Sequence, residues 1–328
     1  MSNKFYHPDI SEFCFLVTGG AGFIGSHIAE YLLKNSAKKV RVIDNLENGF
    51  QSNIEILQQY PDFEFIEGDI RNFDFCYRAC HGIDYISHQA ALGSVPRSIR
   101  EPSYTNDVNV GGFVNILKSA VDNQVKQFVY ASSSSVYGDE PTLPKKEERI
   151  GNCLSPYAVS KRTNELYAQV FADVYKFPII GLRYFNIFGP RQDPDGPYAA
   201  VIPLFIKGII NKTPVHINAD GEQTRDFTFV ENAVQINILG MLTKNEEAIN
   251  KVYNVAVGEN FSINYLYNAI KNYLQSNHKA SYREAREGDI RNSLADISLA
   301  KNLLGYKPDV KFDEGLKATI EYFKKLYF

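Results

Sequence analysis

The sequence has only four cysteines in 328 residues, no excess of basic charge and no long apolar run. Cys14, Cys76, Cys80 and Cys153 are too few for a disulfide framework in a chain of this length, which points to reduced thiols and a cytoplasmic protein. Cys76 and Cys80 would sit one helical turn apart with His81 beside them. That set leaves a tetrahedral site short of ligands at workable spacing, so no metal is expected. Lys and Arg number 35 against 38 Asp and Glu, a net charge of −3, so no basic footprint points to nucleic acid. No apolar run approaches the ~20 residues of a membrane span. The first residues, MSNKFYHPDISEF, lack the basic and apolar segments of a signal peptide.

What is present is an alternation. Short apolar runs at 13–18, 40–43, 63–66, 85–88, 128–132 and 179–183 read as strands. Between them a helical pattern runs from Phe23 to about Asn35, and Val110, Phe113, Val114, Leu117 and Val121 recur at helical spacing. A further helix opens at Ser155-Pro156, an N-cap serine followed by proline at the first helical position, and continues through Leu166, Val170, Phe171 and Val174. This predicts an α/β chain, a Rossmann-type doubly wound parallel sheet with a smaller C-terminal α/β lobe. The expected division is a cofactor-binding domain over 1–190 and a mainly substrate-binding lobe over 191–328, the chain crossing between the two. The lobe would cover the carboxyl edge of the sheet, where such folds bind ligands.

The run TGGAGFIG spaces Gly19, Gly22 and Gly25 as G-x-x-G-x-x-G, with a strand before it and a helix after it. That context is the test for a dinucleotide fingerprint. The first glycine permits the tight turn, the second lets the backbone approach a pyrophosphate, and the last lets the helix lie close to the sheet. The helix start then offers unpaired N–H groups and the positive end of its dipole to the phosphates. Asp44 follows Gly25 at the spacing of a carboxylate that accepts from the adenosine ribose hydroxyls. It would repel a 2′-phosphate, so NAD is expected rather than NADP.

Tyr157 and Lys161 are four residues apart and project from one helical face. A phenol with a pKa of about 10 is a poor base. A neighbouring ammonium and a positive nicotinamide would favour the phenolate and lower that pKa, fitting it to take a proton from a carbinol. Ser132–Ser135 end the preceding strand at the ligand edge, where four hydroxyls could merely cap a turn; placed beside Tyr157, one of them would hydrogen-bond the reacting oxygen.

The motifs TGGAGFIGSH, DNL, GDI, SSSSVYG, SPYAVSK, RYFNIFGPRQDP, YAAVIP and TRDF, in this order, resemble the extended short-chain dehydrogenase/reductase family of sugar-nucleotide-modifying enzymes. Within it, RQDPDGPYAAVIP and LGSVPRSI look most like the UDP-N-acetylglucosamine 4-epimerases. The resemblance implies that Ser133, Tyr157 and Lys161 are catalytic. It also implies that NAD is held by Gly19, Gly22, Phe23, Ile24, Gly25, Asp44 and Asn45, with Asp69 and Ile70 by the adenine. Gln89, Ala90 and Ala91 would lie near the pyrophosphate and Tyr184 by the nicotinamide. Gly93, Ser94, Ser134 and Ser135 would lie near the hexose, while Asn186, Ala200, Val201 and Arg225 hold the nucleotide-sugar. Arg286 would grip the diphosphate, Asp289 the nucleoside ribose, and His216 and Asn218 the uracil. The usual H-L-A-A motif reads His88-Gln89-Ala90-Ala91 here.

The dehydratases of this family place Asp-Glu directly after the catalytic hydroxyl residue, and uronate decarboxylases carry a Glu two positions after it. Here those positions are Ser134 and Ser135, which cannot do acid/base work at neutral pH. Oxidation and re-reduction at C4 remain. Ser293, where galactose-restricted members carry a Tyr, would leave room for an N-acetyl group. The reading is therefore UDP-GlcNAc ⇌ UDP-GalNAc. Epimerisation of a UDP-hexuronate is the alternative enzyme, and an NAD- or nucleotide-sugar-sensing protein the alternative of another class. The resemblance also implies a homodimer, with the helices near 110–121 and 157–175 pairing across a two-fold axis.

Overall fold

The computed structural model describes residues 8–195, 199–285 and 291–327. Its centre is a seven-stranded, wholly parallel sheet. The strands are β1 (Cys14–Thr18), β2 (Lys39–Asp44), β3 (Phe63–Glu67), β4 (Tyr85–His88), β5 (Gln127–Ser133), β6 (Ile179–Tyr184) and β7 (Lys251–Val255). They lie in the order β7-β6-β5-β4-β1-β2-β3. The order reverses at β1, which pairs Phe15 with Val40 of β2 on one side and with Tyr85 of β4 on the other. Successive connections from β1 therefore leave over opposite faces, opening a crevice at the carboxyl ends of β1 and β4.

Both faces of the sheet are covered, which is why β1, β5 and β6 read as continuous apolar runs rather than alternating ones. One face packs the helices Phe23–Lys34 and Val230–Leu242, with Ile28, Leu32, Val234 and Ile238 in the core against Val17, Val129 and Ile180. The other packs Phe73–Cys80, Phe113–Asp122 and Pro156–Tyr175, with Ile116, Leu117 and Phe171 against Leu16, Ile86 and Phe128. Each such fully buried side chain stabilises by roughly 1.5–3 kcal/mol relative to exposure. Cys76 and Cys80 belong to this second core, where burial pushes the Cys76 thiol up to about 12 and raises Cys80 as well, the reverse of what a thiolate ligand requires. The helix expected around 110–121 begins as a π-helical turn, Asp107–Gly112, before the α-helix Phe113–Asp122.

The stretch beyond residue 190 does two things. It returns to the sheet, supplying β7 beside β6 and the helix Val230–Leu242 across β4, β5 and β6. It also builds a lobe with a core of its own, in which Phe188, Phe227, Phe229 and Phe312 cluster with Ile206, Leu266 and Phe323. The lobe's strands form two-stranded ladders: Ile187–Phe188 with Thr228–Phe229, Thr224–Arg225 with Phe261–Ser262, and His216–Asn218 with Ser281–Arg283. Buried Asp226 ties these segments together by accepting from the backbone N–H groups of Val257 (3.1 Å), Gly258 (3.1 Å) and Ala295 (3.3 Å). Burial raises its carboxyl to about 6 against the pull of those three bonds.

Candidate active site

A cleft of about 520 Å³ runs along the carboxyl ends of β1 to β6. One of its walls is the glycine-rich turn. Gly19 has φ +66°, and a Cβ there would lie 2.7 Å from the Ala90 backbone. A Cβ on Gly25 would stand 2.3 Å from the Gly19 carbonyl oxygen, so only glycine lets the helix start this close to the turn. That helix has Gly22 as its N-cap and no side-chain cap, which leaves its first N–H groups for a ligand. Gly22, Phe23, Ile24 and Gly25 all line the cleft.

At the next strand end, Asp44 accepts from Ala21 N (3.0 Å) and Leu46 N (2.8 Å), one bond on each carboxylate oxygen. Each oxygen keeps acceptor capacity for a ribose hydroxyl. Burial raises the Asp44 pKa, partly offset by those bonds. Asn45, Asp69 and Ile70 continue this wall. Arg71 Nη2 donates to Asp69 at 2.6 Å and holds its carboxyl below the ordinary range, with Asn45 3.4 Å away. An uncapped helix start, a turn whose cradle a Cβ would fill and a carboxylate beyond it together fit a dinucleotide.

At the other end stand Ser133, Tyr157, Lys161 and Tyr184, all lining the cleft. The helix Pro156–Tyr175 is pinned at its start. Ser155 accepts from Ala158 N at 3.1 Å, and Tyr157 N donates to Ser98 Oγ at 3.0 Å. Lys161 Nζ donates to the Ala131 carbonyl at 2.8 Å, and burial lowers its pKa to about 8. Tyr157 shares a hydrogen bond with Ser133, yet burial outweighs it and raises the phenol's pKa. The phenol is therefore raised rather than lowered in the protein alone, because desolvation outweighs the Ser133 hydrogen bond. His88, fully enclosed and 2.8 Å from Thr18 Oγ1, is driven down to about 3 by burial and then by the charge of Lys161, and stays neutral.

The four serines separate. Ser132 Oγ turns into the protein and donates to Glu165 at 2.7 Å. Ser133 accepts from Ser135 N (3.1 Å) and Ser135 Oγ (2.9 Å), capping the turn Ser134–Tyr137 while it faces the cleft. Ser134 lines the cleft as well. Beneath them Glu165 pairs with Arg183 at 2.8 and 2.9 Å, both fully buried, and the Arg183 guanidinium lies 4.8 Å from the Tyr137 ring centre.

Gln89, Ala90, Ala91, Gly93 and Asn186 join the cleft wall, Asn186 with φ +38° and its amide donating to Asp226 O at 3.1 Å. Other expected substrate residues stand off it. Ser94 caps the helix Val95–Arg100 by accepting from Arg97 N at 3.1 Å. Ala200 caps Val201–Ile210, with Val201 as its first residue. Arg225 donates to Thr224 O at 2.9 Å, and Ser293 N bonds the same carbonyl at 3.1 Å. His216 meets Ser281 Oγ at 2.7 Å, and Asn218 accepts from Arg283 Nε at 2.5 Å. Arg286 and Asp289 lie outside the described residues.

Several supporting residues escaped the motif reading. Asn109 accepts from Leu92 N (2.7 Å) and donates to Ser160 Oγ (3.1 Å), joining the loop after β4 to the helix Pro156–Tyr175. Glu47 lines the cleft, held by Tyr104 Oη (2.6 Å) and Arg97 (3.2 Å). Asn237, on the helix Val230–Leu242, donates to Tyr184 Oη from beneath the cleft at 2.7 Å. Only Glu47, three positions after Asp44, carried a positional signal.

The model of the NAD dependent epimerase/dehydratase family matches residues 15–256. The UDP-N-acetylglucosamine 4-epimerase of Methanobrevibacter ruminantium, solved with UDP-N-acetylmuramic acid, is 39% identical, with TM-score 0.91 over 96% of this chain and 99% of that one. The UDP-glucose 4-epimerase of Thermotoga maritima, solved with UDP-glucose, is 35% identical, with TM-score 0.90 over 96% and 100%. The UDP-glucuronic acid 4-epimerase of Bacillus cereus, solved with UDP-glucuronic acid and NAD, is 32% identical, with TM-score 0.88 over 96% and 100%.

Proposed function

The chain belongs to the NAD dependent epimerase/dehydratase family and is an NAD-dependent nucleotide-sugar epimerase, and from that premise we propose that it interconverts UDP-N-acetylglucosamine and UDP-N-acetylgalactosamine. The observation that carries the reading is a contrast along the cleft. Among the described residues lining it, the carboxylates are Asp44, Glu47 and Asp69, all at the β2 and β3 ends, whereas Ser133, Ser134, Tyr157 and Lys161 occupy the reacting end. A dehydration needs a carboxyl pair beside the sugar. An epimerisation needs one group to take and return a proton at the 4-hydroxyl.

Tyr157 is that group. Its phenolate accepts the 4-hydroxyl proton while Ser133 hydrogen-bonds the same oxygen, and Lys161, anchored on Ala131, stands behind it. When bound, NAD supplies the acceptor for the C4 hydride and a positive charge that favours the phenolate. Gly19 to Gly25 and Asp44 would hold it. The 4-keto sugar then turns over, and Tyr157 returns its proton to the C4 oxygen as the hydride taken from C4 is given back to the opposite face. Ser133, Tyr157 and Lys161 are all in place, which favours catalysis over sensing. The N-acetyl assignment rests on the small Ser293 and on the likeness to the Methanobrevibacter enzyme.

A panel of UDP-hexoses with and without 2-N-acetyl and 6-carboxyl groups, followed by NMR, tests the reading. Formation of UDP-GalNAc from UDP-GlcNAc without net NADH supports it. Turnover confined to the 6-carboxylated sugar, the chemistry of the Bacillus relative, would transfer the assignment to a hexuronate.

The same proposal includes a homodimer in the cytoplasm. Val159, Leu166, Val170 and Val174, all more than half exposed, form an apolar stripe on the catalytic helix that a second copy would cover. Sedimentation of the wild type and of Val170→Glu checks it.

A further inference from the structure

Beneath the Tyr184 end of the cleft three polar side chains close a ring of hydrogen bonds. Tyr184 Oη donates to Gln89 Oε1 at 3.0 Å, Gln89 Nε2 donates to Asn237 Oδ1 at 3.1 Å, and Asn237 Nδ2 donates to Tyr184 Oη at 2.7 Å. Two flanking bonds set its direction. Asn237 Nδ2 also gives a hydrogen to the Ala233 carbonyl at 2.7 Å, and a carbonyl can only accept, so the Oδ1 end must face Gln89. Ser87 Oγ then bridges the two amides, accepting from Gln89 Nε2 at 2.9 Å and donating to Asn237 Oδ1 at 3.1 Å. Burial raises the Tyr184 phenol, which keeps the proton that the ring needs from it.

The corners have different stations. Tyr184 ends β6 and Gln89 follows β4, and both line the cleft. Asn237 is fully buried, touches no ligand space and comes from the helix Val230–Leu242, far along the chain. We propose that Asn237 is a positioning residue of the epimerase: through the ring it fixes Tyr184 and Gln89 as the floor of the nicotinamide end, so that the cofactor is held in one pose while the sugar turns over. The ring gives His88-Gln89-Ala90-Ala91 its glutamine. A leucine at position 89 could neither accept from Tyr184 nor donate to Asn237, and would leave both buried groups short of a partner. The inference rests on NAD occupying this cleft, not on which sugar is epimerised.

The test uses Asn237→Leu, with Tyr184→Phe and Gln89→Leu breaking the ring at its other corners. NADH fluorescence on protein stripped of cofactor gives affinity without any sugar. Each variant should bind NADH about tenfold more weakly and lose roughly 10- to 100-fold in kcat, since small misplacements of reacting groups cost that much, while KM for the UDP-sugar stays within about twofold. In a double-mutant cycle, Tyr184→Phe with Asn237→Leu should be no worse than about twofold beyond the weaker single variant, because the ring is already open. A lowered Tm with unchanged NADH affinity and kcat would reduce Asn237 to a packing role and overturn the proposal, as would losses that multiply independently. If Asn237→Leu does not fold, the Tyr184→Phe and Gln89→Leu pair carries the same criterion. A wild type that binds NADH but leaves UDP-GlcNAc untouched would sink the substrate assignment alone.

Discussion

The wall of the cleft and the C-terminal lobe beyond it are built differently. The wall formed by the strand ends of the central sheet is committed throughout. Gly19 and Gly25 have no room for a Cβ, Asp44 is gripped by two backbone N–H groups, and Lys161, Ser132, Glu165 and Arg183 are bonded below it. The wall expected from the C-terminal lobe stands on two-stranded ladders, and its polar groups bond one another: His216 to Ser281, Asn218 to Arg283, Arg225 to Thr224. The side proposed to hold the cofactor and to move a proton is preorganised, which is where preorganisation lowers a barrier.

Four experiments bear on that contrast. The largest effect is expected from Tyr157→Phe, which removes the proposed proton acceptor from the committed wall. It should lower kcat by roughly 10²–10⁴-fold with NADH affinity nearly unchanged, and near-normal turnover would dismiss Tyr157 as the base. Next is Arg183→Met, which leaves Glu165 charged and buried without its main partner. Losing one half of such a pair costs about 3–5 kcal/mol, readable as a drop in the urea midpoint. A small loss would mean that the wall is less dependent on its foundations than its geometry suggests.

The third concerns pH. Lys161 titrates near 8 in the folded protein against an ordinary 10.5. Below about 8 both folded and unfolded chains hold the proton, and the folded one bears the full cost of burying it. Between 8 and 10.5 the unfolded chain binds more protons, so stability rises with pH, by up to ~3 kcal/mol across the window. Urea midpoints of cofactor-free protein at pH 7.5 and 10 should show this rise, and Lys161→Met should lack it. The smallest effect falls on the lobe. Ser293→Tyr should lower the ratio of kcat/KM for N-acetylated over unsubstituted UDP-hexoses by about tenfold, the low end of what overpacking costs. An unchanged ratio would mean that the lobe absorbs a phenol there, or that Ser293 does not meet the sugar.

Legibility in the sequence follows the same divide. Tyr85–His88 was readable to the residue, and the other early strands to within one at each end, because parallel strands covered on both faces are unbroken apolar runs. The helix Val230–Leu242 and strand β7 were not readable. VENAVQINILGML is buried on nearly every side, so it shows no apolar stripe, and Asn232, Gln235 and Asn237 interrupt it with polar groups whose partners lie far away in sequence. Spacing alone could not say which of Ser132–Ser135 would meet the reacting oxygen, and it was the resemblance that singled out Ser133. Strands of two or three residues, such as Thr224–Arg225, are too short for any period to register.

The placement of β7 has a consequence for how this chain can be divided. A fragment ending after Tyr184 would contain the glycine turn, Tyr157 and Lys161, yet β6 would become an edge strand. Ile180 and Leu182, now buried, would flank a row of unpaired N–H and C=O groups without the helix Val230–Leu242 to cover them. Such an edge is a template for intermolecular pairing. The cofactor half is therefore not a module that can be excised or transplanted at residue 190. The lobe draws on chain from both sides of β7, and folding must close the long connection between β6 and β7 before the sheet is protected from aggregation.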